Sequence, residues 1–554
     1  MMPMTIEEIA QTVGGRIVSG PGYAVPDGAV ATSVFSDSRQ ITNGSVFVAI
    51  KGEHVDGHDF VAGAGAKGAV AALVDHVVAG ADGIAQIVVD DTVAALGHLA
   101  QHNIVRRRQS NKDFSVIGIT GSVGKTTTKD LLRSLMDKLG ETVAPVGSFN
   151  NDIGLPLTAL KVGERTRFFV AEMGANHVGE IANLTRIVPP DLAVVLKVGV
   201  AHLGEFGSVE RIAQAKSEIV QGLVPSGVTV LNADDKRVAA MTKFAPGDVL
   251  WFGLNGEAQP QSKKMTAANI SVDTLDRPSF TLVAPNGEMA QVHLGIGGAH
   301  NVINALAAAT VADYFGMPLT DIAEGLGDVK HISPHRMAVS LVDLGEGSGS
   351  FTLIDDSFNA NPDSMRAGLD GLARWEAPDE PSEKKTQDKT DSTASKPKPY
   401  RVAVLGAMLE LGDDELKLHR QIGAYAASLG LDEIIAVGNE IDKHFDDLAH
   451  ALAQGAEGLQ VTGDVSGGSA SSEAAPADTV CDTTIASDGP QRTPVVVQWV
   501  HSAVDAERLV AQIARRHQDT VVLLKGSHFS GLSALAERWA GMEQKTQQEV
   551  EPKH

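Results

Sequence analysis

The sequence predicts an α/β protein of three domains: an N-terminal α/β domain, a central phosphate-loop domain of the ATPase type around a parallel sheet, and a C-terminal Rossmann-like domain. Its 554 residues exceed what one hydrophobic core organises and suit about three domains of roughly 150 to 200 residues each. Hydrophobic residues make up 43%, glycines number 57 and aromatics reach only 4%, the balance of an Ala/Val/Gly-rich α/β chain rather than an all-β or fibrous one. From residue 114 onward short apolar strands alternate with helical stretches, which argues for parallel strands covered by helices.

Residues 1–110 open with an amphipathic helix pattern, Ile6, Ile9, Ala10 and Val13, and continue into short strands such as SVFVAI at 45–50. A small α/β domain is expected there, and the polar, basic RRRQSNKD at 106–113 reads as the linker that ends it. Residues 111–332 carry FSVIGIT, TRFFVAEMG, DLAVVLKVG and GVTVLNADD, each an apolar strand ending in a polar or glycine-rich turn. A site is expected at the carboxyl ends of such strands. Residues 333–554 carry FTLIDDS, RVAVLGAM, EIIAVG and DTVVLLKGS, a second doubly wound pattern. Two stretches interrupt it, 378–399 and 462–494; they lack the apolar content to pack and are expected to be surface insertions without chemistry.

The formal net charge of -23 disfavours a sequence-independent grip on nucleic acid or on an anionic membrane. The basic triplet Arg106, Arg107 and Arg108 reads as a solvated helix end. Cys481 is the only cysteine, so no intrachain disulfide forms, and a reducing compartment is the simplest setting. It lies in a low-complexity stretch, which argues against a catalytic thiol. The N-terminal MMPMTIEEIAQTVGG has acids where a secretory signal carries basic residues, and no later window holds about 18 uninterrupted apolar residues. A cytoplasmic protein without membrane insertion is expected.

The strand FSVIGIT runs directly into GSVGKTTTKDLL, the context of a phosphate-binding loop. Backbone N–H groups of Gly121, Ser122, Val123 and Gly124 and the following helix N-terminus face phosphate oxygens in such a loop. Lys125 neutralises charge there, and Thr126 reaches Mg2+ beside Thr127. The strict Walker pattern places glycine at 119, where this chain has Ile119 and carries Gly118 and Gly121 instead, so the loop is a variant. Glu172, ending FFVAEMG, and His202, in VGVAHLGEFGS, are candidate metal ligands just beyond apolar strands. Taken singly, each is also an ordinary strand-end polar residue. Lys216, on a predicted helix after His202, would alone read as a surface lysine.

The spacing of the loop, Glu172, His202 and Lys216 resembles the Mur ligase family of ATP-dependent amide-forming enzymes, and the resemblance covers nearly the whole chain. It extends through SFNNDIGLP (148–156), LNADD (231–235), GGAHNVINALAA (297–308), HRM (335–337), IDDSFNANPDSM (354–365) and KGS (525–527). Within the family, IDDSFNANPDSM, LGAMLELGDDELKLH (405–419) and SDSRQITNGSVFVAIKGEHVDGHDF (36–60) are similar to members that join D-alanyl-D-alanine to UDP-N-acetylmuramoyl-tripeptide in peptidoglycan synthesis. Lys197, His335, Ala407 and His528 depart from the family's common Asn, Gly, Asp and Arg.

The resemblance implies residue roles. ATP phosphates would lie on Gly121 to Thr127, and Mg2+, at two sites, near Thr126, Glu172 and His202. Lys216 matches a lysine that the family carbamylates: a protonated lysine, with an ordinary pKa of about 10.4, repels Mg2+, whereas its carbamate is an anionic oxygen ligand. Lys125, His202 and Lys216 would be the catalytic group. Asn301 and Asn304 would lie by the adenine, Arg336 at the phosphates and Asp356 at the ribose. Ser38, Arg39, Lys51, Gly52 and His58 would hold the UDP-sugar end; Asn150, Asn151, Asn359, Asn361 and the 408–412 loop would lie toward the peptide or dipeptide. The implied route runs through an acyl phosphate that three closing domains shield from water. A monomer with small-molecule partners is expected.

Two other readings of the loop remain open. A different amide ligase of the same family would add the third amino acid or extend folate with glutamate. Against the former, no DNPR-like stretch that reads a diamino acid occurs, and NANPDSM and MLELG speak against both. A phosphate-loop switch or a mechanical ATPase belongs to another class. Its guanine-reading Asn-Lys-x-Asp fails here, because NKDF at 111–114 has phenylalanine in the last position and precedes the loop.

Overall fold

The pattern Ile6, Ile9, Ala10, Val13 folds as the helix Ile6–Val13 with all four side chains buried. Thr5 accepts the Glu8 N–H at its start, and Gly14, at φ 65°, ends it in the left-handed conformation. In this computed structural model, which describes residues 1–19, 28–111, 113–255, 263–329, 332–345, 349–375, 398–461 and 494–550, the chain forms two compact units. The first comprises residues 1–273 and 277–334, the second 274–276 and 335–554. Cys481 and nearly all of both interrupting stretches lie outside the described residues.

The first unit begins with a five-stranded sheet in the order Arg16–Val18, Ala85–Val88, Ala69–Val74, Ser45–Val48, Ser33–Phe35, parallel except at the first pair. Its second sheet has six parallel strands in the order Val249–Phe252, Val228–Asn232, Leu192–Val195, Ser115–Thr120, Phe168–Glu172, Thr142–Val143. The earliest strand in sequence lies inside the sheet, with later strands added on both sides. The carboxyl end of Ser115–Thr120 is therefore a topological switch point, where α/β sheets open a crevice.

Side-chain alternation assigns the two faces of this sheet to different cores. Val116, Phe169, Ala171, Ala193 and Val195 pack in one cluster with Val46, Val48, Leu73 and Ile87 of the N-terminal sheet. Ile117, Ile119, Phe168, Val170 and Val194 pack in the other with the Ala-rich helix Asn301–Tyr314.

The predicted linker is corrected by the structure: RRRQS closes the helix Thr92–Ser110, and only residues 111–114 connect it to the strand Ser115–Thr120. The basic triplet does lie at a helix end, with Arg106 and Arg108 part-exposed, but the solvated reading fails at Arg107. Arg107 is buried, donating to the carbonyls of Thr166, Asn111 and Asp113. Arg108 makes a two-pronged pair with Asp191 at 2.8 and 2.9 Å. Thr166 and Asp191 lie 59 and 83 residues from the arginines that hold them, so a local charge run carries no trace of these pairings.

The second unit has six strands in the order Ala338–Asp343, Ser350–Asp355, Thr520–Lys525, Tyr400–Gly406, Glu433–Val437, Val496–Val500; the first pair is antiparallel and the rest parallel. The last strand in sequence thus lies between Ser350–Asp355 and Tyr400–Gly406, which brings the IDDS and KGS motifs together. Among the described residues, no helix is long and apolar enough to cross a membrane.

Candidate active site

The phosphate loop leaves the switch-point strand and enters the helix Lys125–Asp137 through Gly124 at φ 83°, a conformation that disfavours any side chain. Space forbids one as well: a Cβ at Gly124 would stand 2.3 Å from Asn304 Oδ1. Asn304 Nδ2 donates to Asn301 Oδ1 at 2.8 Å and Asn301 Nδ2 to the Gly297 carbonyl at 2.7 Å, so both amides are buried against the loop. The Ser122 N–H donates to the Lys197 carbonyl, and Ser122 Oγ accepts the Gly199 N–H. Where the family commonly has Asn, Lys197 therefore holds the loop through its backbone. Lys125 Nζ donates to the Gly121 carbonyl at 2.9 Å. Thr127 is buried behind the loop.

Glu172 ends the neighbouring strand in register with Ile119 and is 1% exposed. Its Oε1 accepts from Asn150 Nδ2 at 2.8 Å and lies 3.4 Å from Thr126 Oγ1, which also lies 3.1 Å from the Ser148 hydroxyl. Its Oε2 is buried without a hydrogen-bond partner among the described residues. An orphaned carboxylate oxygen beside a threonine hydroxyl at a phosphate loop fits a hard divalent cation such as Mg2+.

His202 sits at φ 59° as the cap of the short helix Leu203–Phe206. The Phe206 ring then lies 5.7 Å from Lys216 Nζ. Lys216, on the helix Val209–Gln221, is 2% exposed, which overturns the surface reading of the residue taken alone. Burial, and then the Lys125 charge, push its amine down to about 7, against the pull of Glu180 and Glu218. Glu218 is itself occupied, accepting the Gly179 and Ala182 N–H groups.

In the second unit Lys525 is 1% exposed and donates to Asp356 Oδ2 at 2.5 Å and to the Asn359 carbonyl at 3.2 Å. The neighbouring Asp355 accepts from Ser357 Oγ and pairs with His335 Nδ1 at 2.8 Å. That pair raises the His335 pKa. At His335 φ is 60°, which explains why glycine suits this position and shows what the histidine adds in its place. The Arg336 guanidinium lies 4.3 Å over the Phe358 ring. Asn361 caps the helix Pro362–Arg374 in a capping box with Ser364, and Asn151 Oδ1 accepts the Gly154 N–H at 2.9 Å ahead of the short helix Gly154–Ala159. The side-chain oxygens of these two predicted contacts are thus engaged within the protein.

In the N-terminal sheet, Arg39 is exposed and forms a two-pronged pair with Asp37, which holds the Asp37 carboxyl down to about 2. The Ser38 carbonyl accepts from Lys67 Nζ, Lys51 and Asp56 pair through their backbones in an isolated antiparallel β-bridge, and the Gly52 N–H donates to the Val55 carbonyl. His58 is buried between Asp56 and Asp75.

Three residues that sequence reasoning passed over support these loops. Lys129 is fully buried and donates to the carbonyls of Pro145 and Gly147 and to Ser333 Oγ. His419 Nε2 accepts the Met408 N–H at 2.9 Å while Nδ1 donates to the Glu415 carbonyl. Burial pushes its pKa down to about 4. Lys525 is the third. His419 and Lys525 stood inside quoted motifs, the one signal that could have found them; Lys129 had none beyond its place one turn after Lys125.

Comparison with known proteins agrees with this geometry. The family model described as the Mur ligase middle domain matches residues 119–312, and that described as the Mur ligase family, catalytic domain, matches 31–103. The chain is 38% identical to the UDP-N-acetylmuramoyl-tripeptide--D-alanyl-D-alanine ligase of Mycobacterium tuberculosis strain H37Rv, over 97% of this chain and 98% of that protein. It is 34% identical to the Escherichia coli K12 ligase of the same name, over 81% and 90%. Among solved structures, MurF from Acinetobacter baumannii superposes with a TM-score of 0.73 at 30% identity, covering 98% of this chain and 99% of that one. With an orphaned, buried carboxylate oxygen at a variant phosphate loop, two matching family models and full-length relatives at this identity, the chain belongs to the Mur ligase family.

Proposed function

We infer that this protein is an ATP-dependent, ADP-forming ligase that adds D-alanyl-D-alanine to UDP-N-acetylmuramoyl-tripeptide in peptidoglycan precursor synthesis. Full-length similarity to ligases of that name supports the reaction. The observation that carries its chemistry is the fully buried Lys216, held near neutrality by burial and by Lys125.

A carboxylate is a poor electrophile, so the tripeptide's terminal carboxylate must first take the γ-phosphoryl group of ATP. The amine of D-alanyl-D-alanine then attacks the acyl phosphate, and the tetrahedral intermediate collapses to amide and phosphate beside ADP. Gly121 to Thr127 would cradle the ATP phosphates, and Lys125 would offset the repulsion between carboxylate and γ-phosphate. Thr126, Glu172, His202 and Lys216 as its carbamate would hold magnesium, which when bound supplies charge neutralisation at the transferring group. A neutral amine is the form that reacts with carbon dioxide, so lowering the Lys216 pKa favours that carbamate.

Asn301 and Asn304 would support the loop and face the base, with Arg336 at the phosphates and Asp356 at the ribose. Ser38, Arg39, Lys51, Gly52 and the His58 segment would hold the UDP-sugar end. Asn150, Asn151, Asn359 and Asn361 would lie toward the peptide and dipeptide. This reading assigns residues 1–110 to the UDP-sugar domain, 111–332 to the ATP domain and 333–554 to the C-terminal domain. It places the work in the cytoplasm and requires one copy of the chain.

The test is phosphate release from Mg-ATP with UDP-N-acetylmuramoyl-tripeptide and D-alanyl-D-alanine, omitting each in turn. Release that requires both is expected. Release with neither, or with a free amino acid in place of the dipeptide, would overturn the acceptor assignment.

A further inference from the structure

We propose a second metal site in the N-terminal sheet, distinct from the magnesium site, in which His58, Asp75 and His76 bind a zinc ion. His58 lies on the one-turn helix Gly57–Phe60, and Asp75 and His76 follow directly on the strand Ala69–Val74. One ligand atom from each lies within 4.8 Å of the other two. The two imidazoles stack with centroids 4.5 Å apart, and His76 Nδ1 makes a short contact with Asp75 Oδ1.

The decisive feature is behind the cluster. Asp56 Oδ1 stands 2.6 Å from His58 Nδ1 and also accepts the His58 backbone N–H at 2.9 Å. This carboxylate keeps the ring proton on Nδ1 and turns the Nε2 lone pair toward Asp75, where Oδ1 stands 3.2 Å away. Carboxylate, histidine and metal in line is the arrangement that orients imidazole ligands and raises their basicity. The lone pair so presented meets the Asp75 N–H at 3.2 Å and an anionic oxygen at the same distance. A cation between Nε2 and Oδ1 would replace that N–H as the partner of the lone pair and gain the carboxylate oxygen as a second ligand.

Exposure suits an open site: His58 is 5% exposed and forms the anchored wall, while the Asp75 and His76 side chains are 39% and 61% exposed and leave entry and room for water as a fourth ligand. Two imidazoles and one carboxylate match the donor preference of zinc, not that of magnesium, which takes oxygen. The ion would clamp the 51–60 segment to the carboxyl end of the central strand Ala69–Val74, 17 residues further along the chain from His58.

The experiment uses the full chain, stripped with a chelator and returned to saturating Mg2+, then titrated with Zn2+ against a chromophoric competitor. The wild type should bind one more zinc equivalent than His76→Ala, or bind it about ten-fold or more tightly. Asp75→Asn should match His76→Ala, and zinc should raise the melting temperature of the wild type alone. Ligation by His76→Ala in Mg2+ should be unchanged, which separates this site from the catalytic one. Equal zinc stoichiometry and affinity in the wild type and both variants would overturn the proposal, whatever the fate of the ligase reading.

Discussion

Lys216 and His419 show how burial, ahead of any neighbouring charge, sets a residue's chemistry. The amine of Lys216, pushed down to about 7, is neutral in roughly half of the molecules at neutral pH, whereas an ordinary lysine is almost wholly charged. Lys216→Ala is expected to be nearly inactive and partly restored by a short-chain carboxylic acid that fills the carbamate's place. Phosphate release with and without the acid decides it, and full activity without any additive would remove the metal-ligand role. Stability carries the same signature: an unmodified Lys216 binds fewer protons folded than unfolded between about pH 7 and 10.5. Its cost to the fold is therefore complete below pH 7 and fades as pH rises through that window. His419, pushed down to about 4, stays neutral in the fold and titrates near 6.5 when unfolded. Its contribution is intact above pH 6.5 and lost as pH falls toward 4. His419→Gln should flatten the fall of the melting temperature across that range, and an identical acid profile would show that His419 does not cause it.

The element that matters most is the phosphate-loop helix, because its sequence start and its tertiary moorings serve one loop. Gly124 sets the entry angle, and Lys129 ties the helix to the carbonyls of Pro145 and Gly147 just before Ser148 and Asn150. Lys129→Met would leave those carbonyls and Asp130, 2.8 Å from the amine, without their donor in a buried place. It should cost about 2–4 kcal/mol of stability and raise KM for ATP more than KM for the dipeptide. Denaturant midpoints and initial rates measure both, and an unchanged KM for ATP would show that the 145–150 segment keeps its place without the tether. In the second unit, the strand order plays the corresponding part by setting Lys525 beside Asp356.

Across the whole molecule, two compact units and a net charge of -23 govern behaviour. Residues 274–276 belong to the second unit, where Asp276, 2% exposed, pairs with Arg374 at 3.1 Å. Asp276→Ala should destabilise the second unit by about 1–3 kcal/mol, because the buried carboxylate and its pair with Arg374 are both lost. Calorimetry should show a downward shift confined to one transition, and a uniform shift of all melting would contradict the two-unit division. Self-repulsion among the acids should also make the melting temperature rise as salt is raised from low ionic strength.

Much of this protein was legible in its sequence because the relevant physics is local. Apolar periodicity wrote the helix Ile6–Val13 and the strands of both large sheets, and a glycine-rich turn between strand and helix wrote the phosphate loop. Motif spacing carried the family. Only the tertiary structure decided which distant groups meet and which lose water: Glu172 with Asn150, Asp356 with Lys525, Arg107 with the Thr166 carbonyl, and Lys216 away from solvent. The reason is physical: backbone geometry and hydrophobic alternation depend on neighbours in the chain, whereas desolvation and charge pairing depend on neighbours in space.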